Sequence, residues 1–135
     1  MPYEEISHTA DVAIQVTGPD LSAIFEDATR AMFEIMYGQV PEGSESERPI
    51  EVGPGDVEEL LWEWLSAVLS WSEVDRIAYV GIEITFEDDR AEGRVSGPSS
   101  EGLELSGPPI KAVTLHDMAV NGSEGAWEAI VVFDV

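Results

Sequence analysis

Three stretches of this sequence carry groups that could do chemistry. His8-Thr9-Ala10-Asp11 stands just before an alternating apolar run, Lys111 and His116 share the segment that begins at Ile110, and the chain closes on Phe133-Asp134-Val135. The run leading to that close is apolar in both phases: Ala129, Val131 and Phe133 in one, Ile130 and Val132 in the other. A strand of that kind is covered on both faces and belongs in the middle of a sheet. Asp134 at its end, followed by the terminal carboxylate of Val135, then makes an anionic cluster where the core stops. Each group also has a plainer use. A lone aspartate at a strand end is usually a solvated terminus. His8 suits a hydrogen bond that steadies a turn or orients Asp11, as well as direct ligation. Lys111 could balance an acidic surface, although it is the only lysine among six basic residues. His116-Asp117 resembles half of a catalytic pair, but no nucleophile accompanies it.

The surrounding composition narrows the function classes. Twenty-eight acidic residues against six basic ones leave a formal charge of -22. A phosphate backbone is held by clustered Lys and Arg, so direct nucleic-acid binding by the chain alone is not expected. With no cysteine there is no disulfide, thiolate metal site or cysteine nucleophile. No stretch approaches the roughly 18 apolar residues that cross a bilayer. The opening MPYEEISHTAD has neither the basic segment nor the apolar core of a secretory signal, so a cytoplasmic protein without membrane association is expected. A charge of -22 repels itself, and at molar salt the Debye length falls to about 3 Å. The composition therefore points to adaptation to high internal salt, with an ordinary acidic protein serving a basic partner as the alternative.

The elements that must position these groups follow from periodicity. Val12, Ile14 and Val16 alternate as a strand. Asp20 caps a helix whose apolar positions, Leu21, Ile24, Phe25, Ala28, Met32, Ile35 and Met36, are spaced by three and four up to Gly38. Residues 41–49 read as a polar loop before a short strand at 50–52. Asp56 caps a second helix with Glu58 and Glu59 in its first turn. Its stripe, Val57, Leu60, Leu61, Trp64, Leu65, Val68 and Leu69, makes Trp64 a core residue and leaves Trp62 off the stripe as a partner contact. Strands are expected at 77–86 and 91–96 around an Asp88-Asp89 turn, then a flexible connection at 97–108. The last three strands are expected at 110–116, 118–120 and 127–134, with Asn121-Gly122 turning the final hairpin. The expectation is an α+β fold: two amphipathic helices packed on a mixed β-sheet with C-terminal antiparallel hairpins, one domain over residues 1–135.

HTAD before an alternating strand, a PDL-type helix start, a helix carrying LLWEWLSAVL, then IKAVTLH and a terminal VVFDV occur in the order typical of archeases, and the chain resembles that family over nearly its whole length. Leu115 stands where the family pattern has an aromatic residue. The resemblance implies an accessory protein, not an enzyme, that promotes guanylylation and turnover of the tRNA-splicing RNA ligase. It implies a metal site at Asp11, Asp134 and Val135, and a functional lysine at Lys111; His8 and His116, read from the residues themselves, are candidate contacts beside them. An all-oxygen set suits Ca²⁺ first, with Mg²⁺ or Mn²⁺ as alternatives, rather than zinc. Three carboxylates do not fill calcium's six to eight positions, so water or a partner completes the shell. Two other functions are weighed beside this one: a chaperone-like modulator of tRNA-modifying enzymes, and a small hydrolase with a metal held by Asp11, His8 and Asp134.

Overall fold

Both helices begin where a carboxylate can accept from an otherwise unpaired backbone N–H. In the computed structural model, which describes residues 3–6 and 11–135, Asp20 accepts from the Ala23 N–H at 2.8 Å and opens α1 (Leu21–Tyr37). Asp56 and Glu59 cap α2 (Val57–Asp75) reciprocally, each side chain accepting from the other's backbone N–H. Gly38 ends α1 at a positive φ of 73°, a backbone conformation that glycine adopts without strain. The strands are β1 (Tyr3–Ile6), β2 (Asp11–Gly18), β3 (Ser46–Val52), β4 (Gly81–Glu87), β5 (Arg90–Gly97), β6 (Ala112–Ser123) and β7 (Ala126–Asp134).

The α+β class holds, with two helices and the expected C-terminal hairpins. The strands divide into two sheets rather than one, of order β1-β2-β7-β6 and β3-β5-β4. Every pairing among the described residues is antiparallel, so neither sheet is mixed there. The reason is connectivity. Hairpins dominate, and the two helices fill the space between sheets instead of crossing over one of them: each helix touches strands of both. The helix stripes are buried as their spacing requires, Ile24, Phe25, Ala28 and Met32 from α1 and Leu61, Trp64, Leu65 and Val68 from α2. They meet Ile14, Val16, Val131 and Phe133 of the larger sheet and Val95 of the smaller in one core. Phe25 knits the layers, its ring edge-on to Trp64 at 6.4 Å and to Phe86 at 4.9 Å.

Several boundaries moved, each for a local reason. Strand β3 begins at Ser46, inside the stretch that reads as a loop, because it is an edge strand whose polar residues point outward; Pro49 is tolerated there and is exposed. Residues 77–80 leave the ladder, with Ile77 making only an isolated bridge to Ser99, while Ala78 and Tyr79 are buried as core. The expected strands at 110–116 and 118–120 are one strand, β6, interrupted by a bulge. The final hairpin turns at Glu124-Gly125, not at Asn121-Gly122, whose residues pair with Glu128 and Trp127 instead. Gly125 supplies the positive φ, 88°, that such a two-residue turn needs. Strand β1 was not foreseen; its four residues show too short an alternation to read.

Candidate functional site

The antiparallel register of β2 and β7 places residues 123 apart in sequence directly opposite one another. Asp11 opens β2 and Asp134 closes β7, and the two are Cα partners. Alternation assigns them a face. Val12, Ile14 and Val16 pair with Phe133, Val131 and Ala129 toward the helices, so Asp11 and Asp134 lie on the opposite side of the sheet, at the end where the ladder stops. Strand β7 lies between β2 and β6, as its apolar residues in both phases require, and this fixes where its terminal carboxylate falls. The side chain of the following residue, Val135, is partly buried against the core.

Strand β6 supplies the other wall. Ala112 pairs with Asp134 and Thr114 with Val132, and the Lys111 N–H donates to the Asp134 carbonyl at 2.8 Å. The exposed Lys111 is therefore anchored by its backbone beside the carboxylate pair. A surface cavity of about 290 Å³ is lined by Asp11, Thr114, His116, Asp117, Val132 and Asp134. His116 sits 3.3 Å from the Asp117 carboxylate through Nε2, and its backbone N–H donates to Thr114 Oγ1. Asp117 has φ 64°, left-handed for a residue with a side chain, inside the bulge. Asp117 was legible only as half of a His-Asp pair; the bulge that turns it toward Asp11 and Asp134 has no signature in sequence.

Thus Asp11, Asp134 and His116 share one cavity, with Lys111 and Val135 adjoining it. His8 lies outside the described residues. Among the described residues no three His, Asp or Glu side chains are grouped closely enough to hold a metal between them. The donors present are two paired carboxylates, and an all-oxygen set of this kind fits a hard divalent cation that takes further ligands from a main-chain carboxylate, water or a partner. Trp62, expected to face a partner, is half-buried and donates its indole N–H to the Val113 carbonyl at 2.9 Å, tying α2 to β6. The more exposed tryptophan is Trp71, whose ring lies 3.6 Å from the Arg48 guanidinium.

A second polar cluster lies away from this cavity. Arg48 of β3 donates from Nε and an Nη to the two carboxylate oxygens of Asp75, at 2.8 and 3.0 Å, and Tyr79 donates its hydroxyl to the same carboxylate. The Arg48 hydrogen bonds, and then that of Tyr79, hold the Asp75 carboxyl below the usual carboxylate range. Burial, and then the bond to Asp75, push the Tyr79 phenol up. This cluster joins the small sheet to the end of α2.

Comparison with known proteins bears on the family and the fold. Residues 3–135 match the profile of the archease protein family. Among curated relatives, the protein archease of Methanopyrus kandleri is 33% identical with all of both chains covered. That of Methanosarcina mazei is 32% identical, covering 98% of this chain and 95% of its own. The solution structure of Methanobacterium thermoautotrophicum protein 1598 superposes with a TM-score of 0.80 at 30% identity, covering 99% of each chain. A Thermotoga maritima protein described as an archease, "possible chaperone", shares the fold with a TM-score of 0.66 at 19% identity, covering 98% of this chain and 96% of its own.

Proposed function

The chain belongs to the archease family, and from that premise we propose that it is an accessory protein that activates the tRNA-splicing RNA ligase, promoting its guanylylation and repeated turnover. It acts by protein contact and performs no ligation itself. Asp11 and Asp134, with the terminal carboxylate of Val135, hold a divalent cation, Ca²⁺ ahead of Mg²⁺ or Mn²⁺. Lys111 and His116 face the partner. The observation that carries the reading is the pairing of Asp11 with Asp134 across β2 and β7. Two carboxylates brought to one sheet end offer oxygen ligands to a shared hard cation. A cation there would supply localised positive charge at a site whose shell a second protein can complete. The exposed Lys111, anchored on Asp134, adds a fixed cationic group beside it.

The test has two arms. Guanylylation of the cognate ligase is measured with and without this protein, and the expected result is faster guanylylation and multiple turnover; an unchanged rate removes the ligase reading. Calorimetric titration with Ca²⁺, Mg²⁺ and Mn²⁺ in monovalent salt compares the parent, Asp11→Ala and a variant with one residue added after Val135. An added residue moves the terminal charge by a strand rise of about 3.3 Å, more than a calcium–oxygen bond of about 2.3–2.6 Å. Both variants should bind more weakly, and non-additively when combined because they share one ion. Parent-like binding by both would remove the metal site. A chaperone-like role, for which the acidic surface of this -22 chain is the supporting observation, would instead appear as suppressed aggregation of tRNA-modifying enzymes, unaffected by Asp11→Ala.

A further inference from the structure

The ladder between β6 and β7 breaks beside the proposed cation site. Thr114 pairs with Val132 and Ala119 with Ile130, so residues 115–118 stand opposite the single Val131. The surplus residues loop out of an edge strand, since among the described residues β6 has no neighbour on its other side in the sheet. Leu115 at the bulge is 45% exposed, one of few large apolar side chains left in solvent among the described residues. The side chains of His116 and Asp117 that follow are 85% and 57% exposed. Of the other exposed apolar residues, Trp71 is covered in part by Arg48, Leu105 lines a cleft at the helix ends, and Val74, 68% exposed, lies in the last turn of α2. Leu115 alone adjoins the Asp11–Asp134 cavity, because its neighbours Thr114, His116 and Asp117 line it.

We propose that the 115–118 bulge is a docking epitope: Leu115 enters an apolar pocket on a partner protein whose rim is basic, while Asp117 meets that rim. The inference rests on the ligase-activator reading and names the contact through which that partner is held. An apolar side chain centred among charged ones has the layout of a small interface, with an anchor inside a polar rim. Charge selects the partner's chemistry. The exposed Asp117 stands two residues from Leu115 on a chain of net charge -22, which attracts a basic protein surface and repels a phosphate backbone. A bulge also blocks adventitious pairing of an edge strand, but that use requires no exposed leucine and predicts no effect of changing one.

The experiment separates docking from action. Binding of the cognate ligase is measured by calorimetry or surface capture for the parent, Leu115→Ser, Leu115→Met and Asp11→Asn, alongside guanylylation as a function of protein concentration. Leu115→Ser should weaken binding by about tenfold, as expected for loss of an interface anchor. It should raise the half-maximal activating concentration to match and leave the plateau rate intact, while Leu115→Met keeps both near the parent. Asp11→Asn should instead lower the plateau. The exposed position predicts an unchanged melting temperature for Leu115→Ser, which the same samples report. Parent-like binding by Leu115→Ser, with activation by the parent intact, overturns the epitope and leaves the activator reading standing. A parent that binds no ligase overturns both. A parent that self-associates and is made monomeric by Leu115→Ser assigns the bulge to a second copy of this chain and overturns the epitope as stated.

Discussion

Lys111 contributes its backbone N–H to the Asp134 carbonyl and leaves its side chain in solvent, so the two halves of the residue separate cleanly by mutation. Lys111→Ala keeps the backbone bond, and an exposed charge adds little to stability; the melting temperature should stay within about a degree or two of the parent. Ligase activation should fall on the order of tenfold or more if the ammonium faces the partner or its nucleotide phosphates. Full activation by the mutant would return Lys111 to the role of surface charge. A buried residue offers the opposite case. Thr29 donates to the Phe25 carbonyl at 2.6 Å and accepts from the Trp64 indole at 3.2 Å, both side chains being out of solvent. Thr29→Val strands that indole N–H and should cost about 1–3 kcal/mol, read from the urea midpoint. Thr29→Ser, which keeps the hydroxyl, should cost less; equal losses would show that packing rather than the hydrogen bond governs the site.

At the scale of elements, the small sheet is held to α2 by Arg48 and Asp75, and a glycine in β5 admits a close backbone neighbour. The Asp75 carboxyl is lowered below its unfolded value, first by the Arg48 hydrogen bonds and then by Tyr79. Its contribution to stability is therefore complete above the unfolded value near 3.9 and is lost as pH falls through the lower folded one. Asp75→Asn should remove that part of the acid limb, so the difference in urea midpoint between parent and mutant should shrink towards the most acidic pH. A constant difference across the limb would mean the carboxylate's charge is not what matters. Gly97 ends β5 so close to the next segment that a Cβ there would fall 1.8 Å from the Ala78 carbonyl oxygen. Gly97→Ala must displace backbone, and a loss of about 1–3 kcal/mol is expected, as for other overpacked sites. The same substitution at Gly102, where a Cβ would meet nothing within 4 Å, should be nearly neutral.

Across the whole molecule the net charge of -22 outweighs any single ion pair. The pairs that do form use scarce cations, such as Arg30 with Glu26 and Asp27, and Arg94 with Glu47. Most carboxylates therefore repel one another through solvent. Screening should relieve this, so the melting temperature should rise from dilute buffer towards molar KCl, where the Debye length is about 3 Å; a flat profile would sink the high-salt reading. Local chemistry in the chain determined much of this protein. Asp20 and Gly38 bounded α1, the Asp56–Glu59 box opened α2, and the apolar phases of residues 129–133 placed β7 inside a sheet, because caps and periodicity act over a few neighbouring residues. The ordered motifs from His8 to Val135 identified the family for the same reason. Tertiary structure decided the rest. Only the β2–β7 register sets Asp11 opposite Asp134, and only the β6 bulge brings His116 and Asp117 to the same cavity. The division into two antiparallel sheets and the docking of the half-buried Trp62 on β6 likewise depend on which strands and helices meet. Such long-range pairings are selected by the packing of the whole core, and no short stretch of sequence contains that information.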